Sequence, residues 1–357
     1  MSKQNTSQII QSYNNVSPLR YPGGKTRACK IIDNAISNYF DIKCFDTLVS
    51  PFFGGGSFEF YFQNKYNMKL IVNDKFTPLY NFWHQVKTNK NVLCEELRKI
   101  NSVTKEQFIN YRNTIMEVND KVLVLHESLS QSDKVLHEST IARNHVLHES
   151  TIARNHVLPE SLSQSDKVLP ESLSQSDKVL PESLSQSNKV LPESLSQSDK
   201  VLPKAIQYFI INRCSFSGAT LSGGFSEEAS KKRYTPSSIN KIELLDFTNI
   251  EIYNYDFKDF LNLFTNNFTN NKSLIFLDPP YYLEKKSKLY GNSGDMHEHF
   301  NHMMLFDLLK TKKNWIVTYN NCDIIRNLYK DYIILDVNWS YGMNKSKLSS
   351  EIIIISN

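Results

Sequence analysis

The sequence has few cysteines, no long apolar run and little net charge, and each of these features bears on the class of protein that it can encode. Its five cysteines are odd in number, far apart and without a C-x-x-C pair, which favours a reducing cytoplasm over a disulfide-rich secreted protein. The opening stretch, MSKQNTSQIIQSYNN, is polar and does not resemble a signal peptide. Even the most apolar stretch, Ile352–Ile355, is far shorter than the ~18 residues of a membrane span. The net charge of +4 permits a polyanionic partner without requiring one.

A tandem repeat occupies a long stretch in the middle of the chain. Seven copies of an eleven-residue unit run from Val124 to Lys200, most often as VLPESLSQSDK. The unit has a thin apolar stripe and much serine, so burying it offers little to offset the entropy of ordering it. We interpret the repeat as a flexible or loosely helical surface insertion, with a helical spacer or a partner-binding arm as the alternative. In this interpretation, the residues outside the repeat form the folded and functional part of the protein.

The segments on either side of the repeat alternate strand-like and helix-like patterns. Short apolar runs bounded by turn residues predict strands at Cys44–Val49, Leu70–Val72, Ser273–Leu277, Trp315–Thr318, Tyr332–Val337 and Glu351–Ile355. Helical spacing of apolar residues predicts helices at Thr26–Tyr39, Pro78–Lys87 and Phe300–Leu309. The alternation predicts an α/β sheet with crossover helices. A looser pattern in the middle predicts an inserted domain, so we divide the chain into 1–90, 91–247 with the repeat at 124–200, and 248–357.

A glycine-rich turn follows the first predicted strand. The stretch FDTLVSPFFGGGSFEF places Gly54, Gly55 and Gly56 between a buried strand and a helix, where glycines permit a tight turn and a close ligand. The next strand, LIVND, ends in Asp74, twenty residues after Gly54. An acid at this point is placed to accept hydrogen bonds from the ribose of an adenosine cofactor. A purely structural turn and a helix cap are the alternatives.

The stretch SLIFLDPPYY predicts a strand that ends abruptly in functional groups. Two prolines stop the sheet after Leu277 and leave the Asp278 carboxylate and the Pro279 carbonyl at its carboxyl end, with Tyr281 beside them. Two acceptors and an aromatic ring suit the exocyclic amine of a nucleobase, whose two N–H groups donate while its ring stacks. A simple strand-ending turn is the alternative.

A third motif, SPLRYPGGKTRACKII, precedes a helix near the start of the chain. Tyr21 and Lys25 flank a Gly-Gly turn, and an aromatic face with an ammonium group could hold a zwitterionic amino acid. An ordinary loop at a helix start is equally open.

Together, SPLRYPGGK, PFFGGGSF, IVND and DPPY resemble, in type, order and spacing, the motifs of Dam-like (D12 class, alpha group) DNA adenine-N6 methyltransferases. The resemblance covers about 20–122 and 201–357. It implies a Rossmann-like methyltransferase sheet with an inserted, mainly helical target-recognition domain that carries the tandem repeat. It also implies S-adenosylmethionine as cofactor and double-stranded DNA as partner. By position it assigns cofactor binding to Tyr21, Lys25, Phe52, Gly54, Gly56, Asp74, Asp256, Phe257 and Asp278, and catalysis to Asp278, Pro279, Pro280 and Tyr281.

The stretch FIINRCSFSGATLSGGFS resembles the family's DNA-contacting segment, in which an aromatic residue wedges into the duplex near the flipped base. Phe216 takes that place, and the resemblance implies DNA contacts for Arg213, Phe216, Ser217 and Gly218. The residues after Gly218 diverge from those of Dam enzymes that read GATC. A core aromatic is the alternative for Phe216.

Other charged and histidine-rich stretches carry less weight. His297, His299 and His302 have no accompanying set of acids, so we expect no metal. Six basic residues are candidates for phosphate contacts or for solvated surface: Lys231, Lys232, Arg233, Lys285, Lys286 and Lys288.

The sequence as a whole predicts a cytoplasmic, monomeric enzyme that methylates the N6 amine of a flipped adenine in double-stranded DNA. A cognate restriction endonuclease acting separately is a further expected partner. The alternatives are methylation of a cytosine amine or of RNA, and a non-catalytic relative that binds DNA or cofactor.

Overall fold

A seven-stranded sheet forms the centre of the computed structural model, which describes residues 15–21, 23–116, 193–266, 272–282, 300–340 and 348–357. In chain order the strands are β1 Thr47–Ser50, β2 Lys69–Asn73, β3 Ile250–Tyr253, β4 Ser273–Leu277, β5 Trp315–Asn320, β6 Ile333–Ser340 and β7 Leu348–Ile355. Across the sheet they lie in the order β3-β2-β1-β4-β5-β7-β6. The first five in this order are parallel, and β7 runs antiparallel between β5 and β6.

Eleven helices accompany the sheet within the described residues. They are α1 Cys29–Tyr39, α2 Ser57–Tyr66, α3 Thr77–Thr88, α4 Lys90–Lys99, α5 105–116, α6 Glu193–Cys214, α7 Glu227–Lys232, α8 Pro236–Glu243, α9 Phe257–Asn266, α10 His302–Leu309 and α11 Asp323–Leu328. The predicted α/β sheet is therefore confirmed, and β4 has the predicted bounds. None of the helices in the described ranges has the length and apolar content that a membrane crossing requires.

The apolar strands are buried on both faces of the sheet, which explains their unbroken hydrophobic runs. Successive residues of a strand point to opposite faces, so Leu48 enters one core and Val49 the other. The four isoleucines of β7 divide in the same way: Ile353 and Ile355 join the first core, and Ile352 and Ile354 the second. This double burial fixes the register of the strands that carry the site.

Strand β3 is absent from the sequence prediction. Its four residues alternate between buried and half-buried, as an edge strand does, and it pairs with β2 alone. A four-residue alternation without a long apolar run is a weak signal, so its place beside β2 is fixed only by the tertiary structure.

The described residues before Asp120 and after Lys200 form one compact unit. Leu93, Phe209 and Ile239, from segments predicted to belong to the inserted domain, lie in the same core as Leu48 and Leu70 of the sheet. The second unit spans 120–200, and its described part is 193–200, the beginning of α6. The rest of the repeat, for which we predicted flexibility, lies outside the described residues.

Candidate active site

The segments predicted to carry chemistry meet at the carboxyl edge of the parallel strands. Strand β1 lies between β2 and β4, so the connections that leave β1 and β4 run to opposite sides of the sheet. At such a switch point, open α/β sheets form a crevice in which ligands bind. The glycine turn follows β1 and the Asp-Pro-Pro-Tyr segment follows β4, so both border the same crevice.

The glycine turn is packed against Tyr21. Gly54 and Gly56 have φ angles of +51° and +68°, in the left-handed region that favours glycine. A Cβ atom on Gly54 would lie 2.9 Å from Cε1 of Tyr21, and one on Gly55 would lie 2.8 Å from Cβ of Tyr21. The Tyr21 motif and the glycine turn, well separated in the sequence, are therefore in close contact. Side chains larger than glycine in the turn would push them apart.

Asp74 holds the glycine turn in place. Its carboxylate accepts hydrogen bonds from the backbone N–H of Gly54 at 2.8 Å and of Phe76 at 2.9 Å. Burial raises the pKa of this carboxyl to about 6, although both backbone bonds favour the ionised form. We predicted Asp74 as an acceptor for ribose. In the structure its carboxylate orders the turn, a role that the sequence pattern does not reveal, and the ribose contact stays a prediction.

Lys25 and Asp278 form an ion pair in the crevice. Lys25 is only 4% exposed, and its ammonium lies 2.7 Å from Oδ1 and 2.8 Å from Oδ2 of Asp278. The Thr318 hydroxyl, in the second half of β5, donates to Oδ1 at 2.7 Å. The sequence predicts that Lys25, with Tyr21, holds a zwitterionic amino acid; in the structure the Lys25 ammonium pairs with the side chain of the predicted catalytic acid.

Tyr281 is held at both its ring and its hydroxyl. The Lys25 ammonium lies 4.9 Å from the ring centroid, and the Tyr319 ring lies 6.2 Å away. The hydroxyl donates to Oε2 of Glu351, a buried residue of β7. Of the two prolines between Asp278 and Tyr281, Pro279 is buried and Pro280 half-buried.

A group of aromatic rings lies beside the site. The ring of Phe52 is 5.7 Å from that of Phe257 and 5.6 Å from that of Phe300, while Phe257 and Phe300 are 5.0 Å apart. The neighbouring Asp256 accepts from the backbone N–H of Lys258 at 3.1 Å, as a cap at the start of α9, and pairs with Lys75 at 2.9 Å. The predicted cofactor residues after β1 and β3 are therefore brought together.

A buried acid, Glu59, is close enough to the Lys25–Asp278 ion pair for the charges of the pair to affect its pKa. It lies in α2 and accepts a hydrogen bond from the Ser50 hydroxyl at 2.7 Å. Burial raises the pKa of its carboxyl to about 8; the bond from Ser50 opposes the shift, and the negative charge of Asp278 adds to it. Glu59 is therefore mostly protonated at neutral pH.

The raised pKa of Glu59 predicts a loss of stability as the pH rises. The unfolded chain releases this proton near pH 4.5 and the folded protein near pH 8, so the folded state binds more protons between these values. Glu59→Gln cannot ionise and should resemble the wild type near pH 4.5. At pH 8.5 we expect its free energy of unfolding to be higher by roughly 4 kcal/mol. Urea unfolding at both pH values measures this, and a pH-independent difference would contradict it.

The predicted DNA-contacting segment forms a tight turn with an exposed aromatic tip. Phe216 is 70% exposed, and its N–H donates to the Gly224 carbonyl at 2.8 Å. Such exposure argues against the alternative of a core aromatic. Ser217 and Gly218 both have positive φ angles, of +58° and +75°. The guanidinium of Arg213 donates inward to two carbonyls, those of Pro18 and Arg233.

Arg20 joins this segment to the amino-terminal motif. Its guanidinium donates to the Ser215 carbonyl at 3.0 Å, and the Asn212 side chain bonds to both its N–H and its carbonyl, at 2.8 and 2.6 Å. A Cβ atom on Gly218 would lie 2.6 Å from Cβ of Arg20. Because Tyr21 is the next residue, the exposed Phe216 turn and the glycine turn are joined through two adjacent residues.

Gly218→Ala is expected to weaken the binding of duplex DNA. The left-handed φ angle alone costs an L-residue roughly 1–2 kcal/mol, and the new methyl group collides with the backbone of Arg20, which Asn212 holds. We expect the dissociation constant for duplex DNA to rise about tenfold or more. Fluorescence anisotropy with labelled DNA measures it. Unchanged affinity in a variant of normal thermal stability would contradict the predicted DNA contacts of this segment.

Arg233 is an exposed residue at the end of α7, and the other basic and histidine candidates either have ordinary partners or lie outside the described residues. Lys231 and Lys232 pair along α7 with Glu227 and Glu228. His302 bonds through Nδ1 to the Tyr319 hydroxyl at 3.0 Å. The residues of these groups outside the described ranges are Lys285, Lys286, Lys288, His297 and His299.

The sequence prediction missed the residues that support the site: Arg20, Glu59, Asn212, Thr318 and Glu351. Two of them had a detectable signal. Thr318 is a polar residue towards the end of a buried strand, and Glu351 is an acid directly before four isoleucines. A polar residue inside an apolar run needs a partner, which directs attention to it.

The amino-acid sequence of the chain matches one known protein family. A model of the D12 class N6 adenine-specific DNA methyltransferases matches residues 21–343. A search of curated protein sequences found no match to the chain. The matched region extends from Tyr21 to beyond β6 and includes Lys25, the glycine turn, Asp74 and the Asp-Pro-Pro-Tyr segment. The chain therefore belongs to the D12 class N6 adenine-specific DNA methyltransferase family and is an adenine-specific DNA methyltransferase.

Proposed function

We propose that the enzyme uses S-adenosylmethionine to methylate the N6 amine of an adenine that has been rotated out of duplex DNA. The observation that carries this proposal is the Asp278 carboxylate, oriented by Lys25 and Thr318 at the switch point beside the glycine turn. A carboxylate has about four acceptor positions, and these two partners use three of them. Within the described ranges, no hydrogen bond takes the remaining position on Oδ2, and the proposal assigns it to the amine.

The residues of the crevice fit S-adenosylmethionine. The Gly54–Gly56 turn allows close approach of a ligand, the Phe52 and Phe257 rings offer apolar surface for an adenine, and Asp256 lies beside them. The nine residues proposed to hold or position the cofactor are Tyr21, Lys25, Phe52, Gly54, Gly56, Asp74, Asp256, Phe257 and Asp278. When bound, S-adenosylmethionine supplies an electrophilic methyl group on a sulfonium sulfur.

The protein's own groups activate and position the amine. In the proposal, Asp278 and the Pro279 carbonyl accept its two N–H groups, which favours a pyramidal nitrogen with its lone pair directed away from them. Asp278 receives the proton that the nitrogen loses and passes it to water. The Tyr281 ring stacks on the adenine. Positioning of this kind supplies most of the rate enhancement when the reaction is a direct transfer.

DNA binding is proposed for the 91–247 segment, and in particular for Arg213, Phe216, Ser217 and Gly218. Extruding a base costs a few kcal/mol, which stacking and phosphate contacts offset. The exposed Phe216 ring, on a turn built from two positive φ angles, is suited to fill the space of the extruded base. We further propose that the enzyme is a cytoplasmic monomer and that any cognate endonuclease acts separately.

Two measurements on the purified protein test this function. Isothermal titration calorimetry should show S-adenosylmethionine binding at about one molecule per chain. Labelled methyl groups should then pass to adenine N6 of double-stranded DNA taken from a methylation-free host. Binding without transfer would contradict the proposed reaction, and transfer to cytosine or to RNA would contradict the proposed substrate.

A further inference from the structure

The carboxylate of Glu351 is placed in the interior at the hydroxyl of Tyr281. Glu351 is only 2% exposed and lies in β7, directly before the isoleucines that enter the two cores. It is opposite Asn320 of β5 in the antiparallel register. Its Oε2 accepts the hydrogen bond of the Tyr281 hydroxyl, across 70 residues of sequence.

The acceptor lies in a strand that is paired on both sides, whereas the donor lies in a segment without regular secondary structure. Strand β7 is hydrogen-bonded on both sides, by β5 and by β6. Tyr281 follows two prolines beyond the end of β4, where no ladder bonds fix the backbone. The hydrogen bond to Glu351 therefore orients the Tyr281 ring, which the backbone of its own segment does not fix.

Burial makes this bond costly to lose. A carboxyl group inside a protein is unfavourable unless hydrogen bonds satisfy it, so a buried acid at this position calls for an explanation. The strand itself does not require an acid at position 351, since the next four residues, Ile352–Ile355, are apolar. The feature that an apolar residue lacks is an acceptor for the Tyr281 hydroxyl.

We infer that Glu351 is a positioning residue for catalysis: it fixes the Tyr281 ring at the angle at which a flipped base can stack. This inference rests on the proposed function. In it, Glu351 does not touch the base or the cofactor, and its effect on catalysis passes through the Tyr281 hydroxyl. Its removal should therefore reduce kcat and leave cofactor binding unchanged.

A double-mutant cycle tests the inference. The variants are Glu351→Ala, Tyr281→Phe, which keeps the ring and removes only the hydroxyl, and the double variant. Glu351→Gln keeps an acceptor and serves as the conservative control. If Glu351→Ala does not unfold cooperatively, Glu351→Asp replaces it, because it keeps the carboxyl group and withdraws it by one methylene. Methyl transfer to duplex DNA gives kcat, and calorimetry gives the dissociation constant for S-adenosylmethionine.

We expect Glu351→Ala to lower kcat about 10- to 100-fold, with cofactor affinity within about twofold of wild type. In the Tyr281→Phe background the same change should lower kcat less than about twofold, since the contact is already absent. Glu351→Gln should keep kcat within about threefold of wild type, because an amide oxygen still accepts. A Glu351 effect of equal size in both backgrounds would overturn the inference and leave the proposed function intact. A wild-type protein that transfers no methyl group would overturn both.

Discussion

Asp278→Ala is expected to lose methyl transfer to DNA by about 10²- to 10⁴-fold in kcat, the range for removal of a group that handles a proton in the reaction. The substitution deletes the carboxylate proposed to accept the amine and the released proton. It also removes the carboxylate that pairs with the buried Lys25 ammonium, and breaking a buried pair destabilises by roughly 3–5 kcal/mol. Thermal unfolding must accompany the assay, so that loss of chemistry is distinguished from loss of fold.

Two further variants sharpen this test. Asp278→Asn keeps the shape and one acceptor oxygen, so it should fold better than the alanine variant while still losing most of the activity. Asp307→Ala removes an acid that pairs with Lys310 on the surface of α10 and should leave kcat unchanged. Near wild-type kcat in a folded Asp278→Ala protein would show that the reaction takes place elsewhere.

Gly54→Ala is expected to raise the dissociation constant for S-adenosylmethionine about 10- to 100-fold, equivalent to roughly 1.4–2.8 kcal/mol. A residue with φ of +51° is strained by a Cβ atom, and that atom would lie 2.9 Å from the Tyr21 ring. Relieving the collision moves Tyr21 or the turn. Either movement also disturbs the hydrogen bonds that Gly54 makes with Asp74 and with the Trp83 indole. Calorimetry on the purified variant measures the effect directly.

The chain offers a matched control for this substitution. Gly224 has no atom within 4 Å of the position of an added Cβ, and its φ is not in the left-handed region, so Gly224→Ala makes the same chemical change without strain. Its cofactor affinity should equal that of the wild type. Equal affinities in both variants would mean that the glycine turn does not form the cofactor site.

The sequence predicted the parts of the fold that depend on local pattern. Strands buried on both faces appear as apolar runs, so β1, β2, β4, β5, β6 and β7 were predicted within a few residues of their bounds. The short edge strand β3 has no such run and was missed. The family resemblance is confirmed by the match over 21–343, because motif order survives in the sequence whatever the length of the insertion between motifs.

Side-chain partners could not be predicted in the same way. Lys25 and Asp278 are 253 residues apart, and Tyr281 and Glu351 are 70 apart, so only the strand order brings them together. Both residues of the first pair were singled out, but not as partners of one another. Glu59 shows the same limit: its pKa depends on burial by surrounding elements, which no local pattern records.

Modified-base sequencing of DNA from a methylation-free host that expresses the full chain tests the central claim most directly. We predict N6-methyladenine at one defined sequence context throughout the host DNA, and none in cells that express Asp278→Ala at the same level. Host DNA without N6-methyladenine, although the wild-type protein is folded and binds S-adenosylmethionine, would contradict the proposed reaction.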